Sequence, residues 1–209
     1  ALTAVATAAV RDAEDGAAFV DEIAAATGLR VHVASGAEEA TLSAQGVLLG
    51  WPDATGLVCD IGGASMELAQ LDAGEIVAAD TSALGPLVLG DVPEAKRDAH
   101  IGKVLDKLRK GFNGKTGTLF LVGGSWRALA QIDMARRDYP LHVLQDYRMR
   151  PDDLRRTVAW MAGKSVDEIK QAAPSVSSRR LALIGDAARV ISALVDRVKP
   201  EEIRISSYG

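Results

Sequence analysis

The chain has 209 residues, 48% of them hydrophobic and 25% charged, with a formal charge of −4. These values describe a soluble globular protein with one sizeable domain or two small ones, and they exclude a disordered tail or a membrane-embedded bundle. The negative balance argues against nucleic acid as a partner, and aromatics at 4% leave the core to Ala, Val, Leu and Ile.

The sequence opens on Ala-Leu-Thr without an initiator Met and runs at once into a β-prone stretch, Thr3 to Thr7, which reads as part of a longer chain. The apolar run Ala4 to Val10 is too short and too rich in Ala and Thr for a transmembrane helix or signal peptide, so no membrane association is expected. Arg11 follows it, by type a surface cation. Over Ala17 to Thr27, the residues Phe19, Val20, Ile23 and Ala24 share one helical face, and Gly28 supplies a stop. Leu29 to Ala34 reads as a strand in which His32, between Val31 and Val33, points away from the core.

Ser35 followed by Glu38 is a capping box at the start of a helix that reaches about Leu49, so Glu38 has a structural task. Glu39 is free of that task and projects roughly 100° further round the helix. On the residues alone it is a solvated first-turn acid. The turn-rich Gly50-Trp51-Pro52-Asp53-Ala54-Thr55-Gly56 then reads as a hinge between domains, with Trp51 packed at the junction.

Leu57 to Ile61 and Met66 to Leu71 are short apolar runs joined by Gly62-Gly63-Ala64-Ser65, a β-hairpin with a glycine turn. Glycines at such a bend let successive backbone amides converge on an anion, and the Ser65 hydroxyl adds a donor. Asp60 and Glu67 flank the turn; they would repel a bare phosphate but suit a hard divalent cation held between carboxylates and phosphate oxygens. Gly62, Gly63 and Ser65 therefore read as phosphate ligands, and Asp60 and Glu67 as Mg²⁺ ligands. An ordinary hairpin with solvated acids is the plainer alternative. Cys59, the single cysteine, reads as a small core residue, and a chain without disulfides fits a reducing cytoplasm.

Leu71-Asp72-Ala73-Gly74 turns the chain into a third strand, Glu75 to Asp80, completing a meander. Pro93 to Lys110 is a helix bearing Lys96, Arg97, Lys103, Lys107, Arg109 and Lys110, most of which read as a solvated face, with at most one or two reaching a polyanion. Thr118 to Val122 is a buried-type strand, and Gly123-Gly124-Ser125-Trp126-Arg127 opens a helix through Arg136. Strand, glycines, serine and helix N-terminus together favour anions, so Gly124 and Ser125 form a second phosphate-loop candidate; close helix–strand packing is the alternative. Neither loop is a Walker motif or a dinucleotide fingerprint. Leu141 to Tyr147 is expected as a short strand, with helices at Pro151–Ala162, Val166–Ala172 and Ser177–Val195 and a final strand at Glu202–Ser206. Arg148, Arg150, Arg155 and Arg156 read first as a solvated basic edge, with the lining of a polyphosphate path as the alternative. Strands alternating with helices, plus the meander, give an α/β fold class.

Val58-Cys59-Asp60-Ile61-Gly62-Gly63-Ala64-Ser65-Met66-Glu67-Leu68 resembles a phosphate-loop motif of the exopolyphosphatase / guanosine pentaphosphate phosphohydrolase family, within the actin-like ATPase superfamily. The resemblance extends from Ala4 to the C-terminal residues and departs at Ala64, where that family usually has a third glycine. It implies a ribonuclease-H-like fold: residues 1–50 as the end of domain I, 51–56 as the hinge and 57–209 as domain II, with both ends of the protein incomplete. Ala6 to Ala13 is similar to the family segment that carries a phosphate-contacting Arg, here Arg11, whose planar fork holds phosphate oxygens in pairs. Ser35 to Ala40 is similar to the family's Ser-Gly-x-x-Glu-Ala signature, which makes Glu39 the general base for the attacking water. The activity implied is Mg²⁺-dependent hydrolysis of terminal phosphoanhydrides of polyphosphate or guanosine pentaphosphate in the cytoplasm. It leaves a homodimer open. A non-catalytic sensor of guanosine polyphosphates, with the loop weakened at Ala64, and a sugar kinase are the competing readings. No acceptor-side signature supports the kinase.

Overall fold

Residues 2–112 and 116–209 are described by the computed structural model. A small parallel pair, β1 (Ala4–Ala6) and β2 (Val31–Val33), is joined by α1 (Ala8–Arg11) and α2 (Gly16–Thr27). Gly28 ends α2 in the left-handed conformation, φ 74°, with its amide closed back on the Ala24 carbonyl. After α3 (Gly36–Gly50) come β3 (Gly56–Ile61), β4 (Met66–Asp72) and β5 (Glu75–Ser82), the antiparallel meander expected from the two glycine turns. The rest is α4 (Pro86–Gly90), α5 (Glu94–Leu108), β6 (Thr118–Val122), α6 (Gly124–Arg136), β7 (Arg148–Met149), α7 (Pro151–Ala162), α8 (Val166–Ala172), α9 (Ser178–Val198) and β8 (Glu202–Ile205).

Strands β3 to β8 make one sheet in the order β5-β4-β3-β6-β8-β7. β6 runs parallel to β3 and β8 parallel to β6, while β7 pairs antiparallel on the edge. A meander extended by two parallel strands, each reached through helices, is the ribonuclease-H-like, actin-like ATPase fold. Central strands of such a sheet are covered on both faces, and β3 and β6 are largely apolar on both, Asp60 being the charged exception. Leu57, Cys59, Ile61, Leu119 and Leu121 enter a core shared with α5, α6, α7 and α9. Val58, Ala69, Leu71, Phe120 and Val122 enter a second core with Ala44 and Val47 of α3. Alternation along each strand sends these two sets to opposite faces, so α3 covers the face that also receives Asp60.

Trp51, at the end of α3, packs its ring 5.1 Å from that of Phe120. The apolar spacing of α9 is fully used: Leu181, Ile184, Ala188, Ile191, Leu194 and Val195 are all buried. Each Leu or Ile among them contributes about 1.5–3 kcal/mol relative to exposure. Cys59 is buried, and burial pushes its thiol well above the ordinary range, consistent with a core residue. Among the described residues no helix is long and apolar enough to cross a membrane.

Three expectations change. Leu141 to Tyr147 forms no strand: Leu141 and Val143 stay exposed, Asp146 turns the chain at φ 60°, and only Asp146 and Tyr147 bond Ile205 of β8 before the paired strand begins at Arg148 and Met149. Leu141 and Val143 have no facing partner to bury them, while Leu144 and Tyr147 pack on the core, so an apolar run alone does not make a strand. Arg97 is not part of a solvated face. Its guanidinium bonds the Val92 and Gly90 carbonyls, Glu94 and Asp186, tying α4 and α5 to α9. Ala64 adopts an ordinary φ, so the missing third glycine leaves the turn unstrained. The basic edge reads as expected, with Arg148 on Asp146, Arg155 on Asp152 and Asp196, and Arg156 on Asp153.

Candidate active site

The two glycine turns meet because their strands are neighbours. Parallel pairing sets Asp60 of β3 beside Val122 of β6, so both strands deliver their turns to the same sheet edge. A cavity of about 510 Å³ opens there, lined by Glu39, Asp60, Ile61, Gly62, Gly63, Gly123, Gly124, Ser125, Ser177, Arg179, Arg180 and Leu183.

The hairpin turn is held from behind. The Leu87 amide donates to the Gly63 carbonyl at 2.9 Å and the Gly85 amide to the Ala64 carbonyl at 3.2 Å, so the start of α4 fixes the carbonyl side of the bend. Among the described residues the Gly63 and Ala64 amides donate to no protein acceptor, which leaves them for an anion. The second turn needs Gly123, whose φ of 100° an L side chain adopts only under strain, and where a Cβ would stand 2.5 Å from Asp60 Oδ1. The first amides of α6 then face the cavity with the positive end of its dipole. Trp126 anchors this end, its indole donating to the Cys59 carbonyl at 3.1 Å.

Glu39 reaches the cavity from above. The expected capping box is present: Ser35 Oγ accepts from the Glu38 amide at 3.2 Å, and Glu38 accepts from the Ser35 amide at 2.8 Å. Glu39 is thereby free to face the cleft. Gly36 brings this end of α3 down onto the sheet, because a Cβ there would run into Thr81 of β5. Arg11 stands behind Glu39. Its Nη1 donates to Glu39 Oε2 at 3.2 Å and to the Ala34 carbonyl at 2.9 Å, and its Nε to Asp12 at 3.3 Å. It touches Glu39 and lies outside the cavity lining.

Asp60 and Glu67 sit directly opposite each other in the β3–β4 register, so both carboxylates point to the α3 face. Ser43 Oγ donates to Asp60 Oδ2 at 2.5 Å, and Thr81 Oγ1 donates to Glu67 Oε1 at 2.8 Å. Burial raises the Asp60 carboxyl against the Ser43 bond and the charge of Arg127. Burial also pushes Glu67 up to about 7, against the hydroxyls of Ser65 and Thr81, and the charges of Glu39 and Asp60 add to the rise. Ser65 is buried with Glu67 rather than on the cavity wall.

Among the described residues no three His, Cys, Asp or Glu side chains could hold a metal ion by themselves. Mg²⁺ does not need three, because it keeps several waters and binds through one or two carboxylates plus substrate phosphates. Two hard-oxygen carboxylates on one face, both raised by burial, fit that demand.

Glu67 has a measurable consequence. Its folded pKa lies above its unfolded value of 4.5, so the protein holds this proton more tightly when folded. Stability is therefore highest below pH 4.5 on this group's account and falls as pH rises through about 7. In metal-free buffer at pH 8, E67Q should be more stable than the wild type by up to about 3 kcal/mol. Thermal melts across this range check it; equal pH dependence in both proteins would contradict the assignment.

Of the residues singled out in the sequence, the structure places Glu39, Asp60, Gly62, Gly63, Gly124 and Ser125 on one cavity wall and leaves Arg11, Ser65 and Glu67 outside that lining, although Arg11 and Ser65 were expected as phosphate ligands. It missed Arg179, Arg180 and Ser177 at the start of α9. The Arg180 guanidinium lies against Gly124, filling the space a Cβ would take. A signal was available: two arginines in a first helical turn oppose the helix dipole, an unfavourable placement unless an anion joins them.

A model described as the Ppx/GppA phosphatase family matches residues 1–209. An exopolyphosphatase from Cytophaga hutchinsonii superposes with a TM-score of 0.87 at 23% identity, over 99% of this chain and 71% of that one. The Aquifex aeolicus member of the Ppx/GppA family superposes with a TM-score of 0.81 at 19% identity, over 99% of this chain and 70% of that one. At these identities the likeness is one of fold. No curated protein matches the chain.

Proposed function

Because the chain belongs to the Ppx/GppA phosphatase family over residues 1–209, we propose that its cavity hydrolyses the terminal phosphoanhydride of a polyanionic phosphate chain, inorganic polyphosphate first. The observation that carries this reading is a single cavity wall combining a carboxylate base, two amide-lined turns and paired arginines. A phosphate chain enters with its terminal group against the amides of Gly63, Ala64, Gly124 and Ser125, and with Arg179 and Arg180 on the oxygens that follow. Glu39 accepts a proton from water as that oxygen bonds to the terminal phosphorus. The bridging P–O bond breaks, releasing orthophosphate and a chain one unit shorter. Arg11 holds the Glu39 carboxylate on the cavity side. Such reactions depend on positioning and on neutralising charge more than on covalent steps.

Mg²⁺, when bound by Asp60 and Glu67, would supply positive charge to the phosphate oxygens beside the turn. The two arginines, the amides and the α6 N-terminus provide the rest of the electrostatic field.

Orthophosphate release from polyphosphate and from guanosine pentaphosphate, measured with the full chain, tests the reading. R180Q should raise KM for polyphosphate about 10-fold or more, as expected for a charge-assisted phosphate contact of roughly 1.5–3 kcal/mol. Hydrolysis of guanosine pentaphosphate alone would move the substrate to the nucleotide. Binding of either without release would favour the sensor.

A further inference from the structure

Serine and threonine inside helices usually return their hydroxyl to the carbonyl one turn back. Among the described residues four do so: Thr27 on Ile23 at 2.7 Å, Thr41 on Ala37 at 2.8 Å, Thr157 on Asp153 at 3.1 Å and Ser192 on Ala188 at 2.8 Å. Ser43 does not. Its hydroxyl leaves α3 and donates at 2.5 Å to Asp60 Oδ2 on β3. Ser43 is 4% exposed, so water does not compete for this bond.

The placement links two parts of the site. Ser43 lies one helical turn after Glu39 on the same face of α3, so a single helix face carries the base and the hydroxyl. Asp60 is held on one oxygen by Ser43, while its other oxygen, Oδ1, stands beside Gly123 at the rim of the cavity. A carboxylate tied at one oxygen presents the other in a fixed direction. We propose that Ser43 is a positioning residue which orients Asp60 so that Oδ1 is directed at a divalent cation beside the phosphate loops. This rests on the Mg²⁺ reading of Asp60 and Glu67. Ser43 touches neither substrate nor cation; it acts through Asp60 and keeps α3, with Glu39, in register with β3.

The test is calorimetric titration of Mg²⁺ into the full chain without substrate, for wild type, S43A and S43T, with melts and phosphate release alongside. S43A should weaken Mg²⁺ binding about 10-fold or more, the usual loss when the partner of a metal-bound carboxylate is removed. S43T, which keeps the hydroxyl, should stay within about threefold of wild type on the same scale. The Mg²⁺ concentration for half-maximal phosphate release should shift in parallel for S43A. Mg²⁺ affinity in S43A equal to wild type overturns the proposal alone, as does an S43T that falls as far as S43A. Absence of Mg²⁺ binding by the wild type overturns the metal reading and the proposal with it.

Discussion

E39Q is expected to lower orthophosphate release about 10²- to 10⁴-fold, the range associated with loss of a positioned general base. Gln keeps the volume of Glu and retains an oxygen that can accept from Arg11 Nη1, so α3 should stay docked. Substrate binding and the thermal midpoint should therefore remain close to wild type while kcat falls. Its neighbour supplies the control. Glu38 faces away from the cavity and closes the cap on Ser35, so E38Q should cost about 1 kcal/mol of stability or less and leave kcat unchanged. Steady-state kinetics with melts separate the two. Equal kcat for E39Q and wild type would remove Glu39 from the mechanism, and a kcat loss confined to E38Q would exchange their roles.

The largest stability effect should come from Asp133, on the far side of α6 from the cavity. Its carboxylate is wholly buried and accepts from Tyr147 Oη at 2.7 Å, Thr157 Oγ1 at 2.5 Å, Arg136 at 3.0 Å and Arg137 at 3.3 Å. These donors come from α6, α7 and the segment before β7, so one side chain fastens three elements. Burial raises the Tyr147 hydroxyl above its ordinary range and the bond to Asp133 raises it further, which keeps it protonated and donating. D133A leaves two buried hydroxyls and two arginines without their shared acceptor, and should cost about 3–5 kcal/mol. For a chain of this length that corresponds to a fall in Tm of about 10 °C. D133N, which keeps one acceptor oxygen, should lose about half as much on the same scale. Thermal or urea melts decide; a loss below about 1 kcal/mol, the value of an ordinary net hydrogen bond, would show the network to be dispensable.

The central strands were legible in the sequence because a strand covered on both faces must be largely apolar, and Leu57–Ile61 apart from Asp60 and Thr118–Val122 after Thr118 are. The cap at Ser35 was legible because its chemistry is local. So were the two glycine turns, which need glycines at fixed offsets from a strand. Leu141–Tyr147 was misread because an apolar run becomes a strand only where another strand runs alongside it, and β8 reaches back only as far as Asp146 and Tyr147. Arg97 was misread because Asp186, its partner from α9, lies far away in sequence.

By itself the sequence determined what could be written in short-range chemistry: the turns, the cap, the apolar periods, and the residue types able to hold phosphate. Only the tertiary structure decided which of these groups share a site. Parallel pairing of β3 with β6 brings the two glycine turns to one edge, and the packing of α3 aims Glu39 and Ser43 at that edge. The start of α9 adds arginines that no local pattern had tied to either loop. Convergence of this kind depends on strand order and helix docking, which arise from burying two sheet faces at once rather than from any one segment.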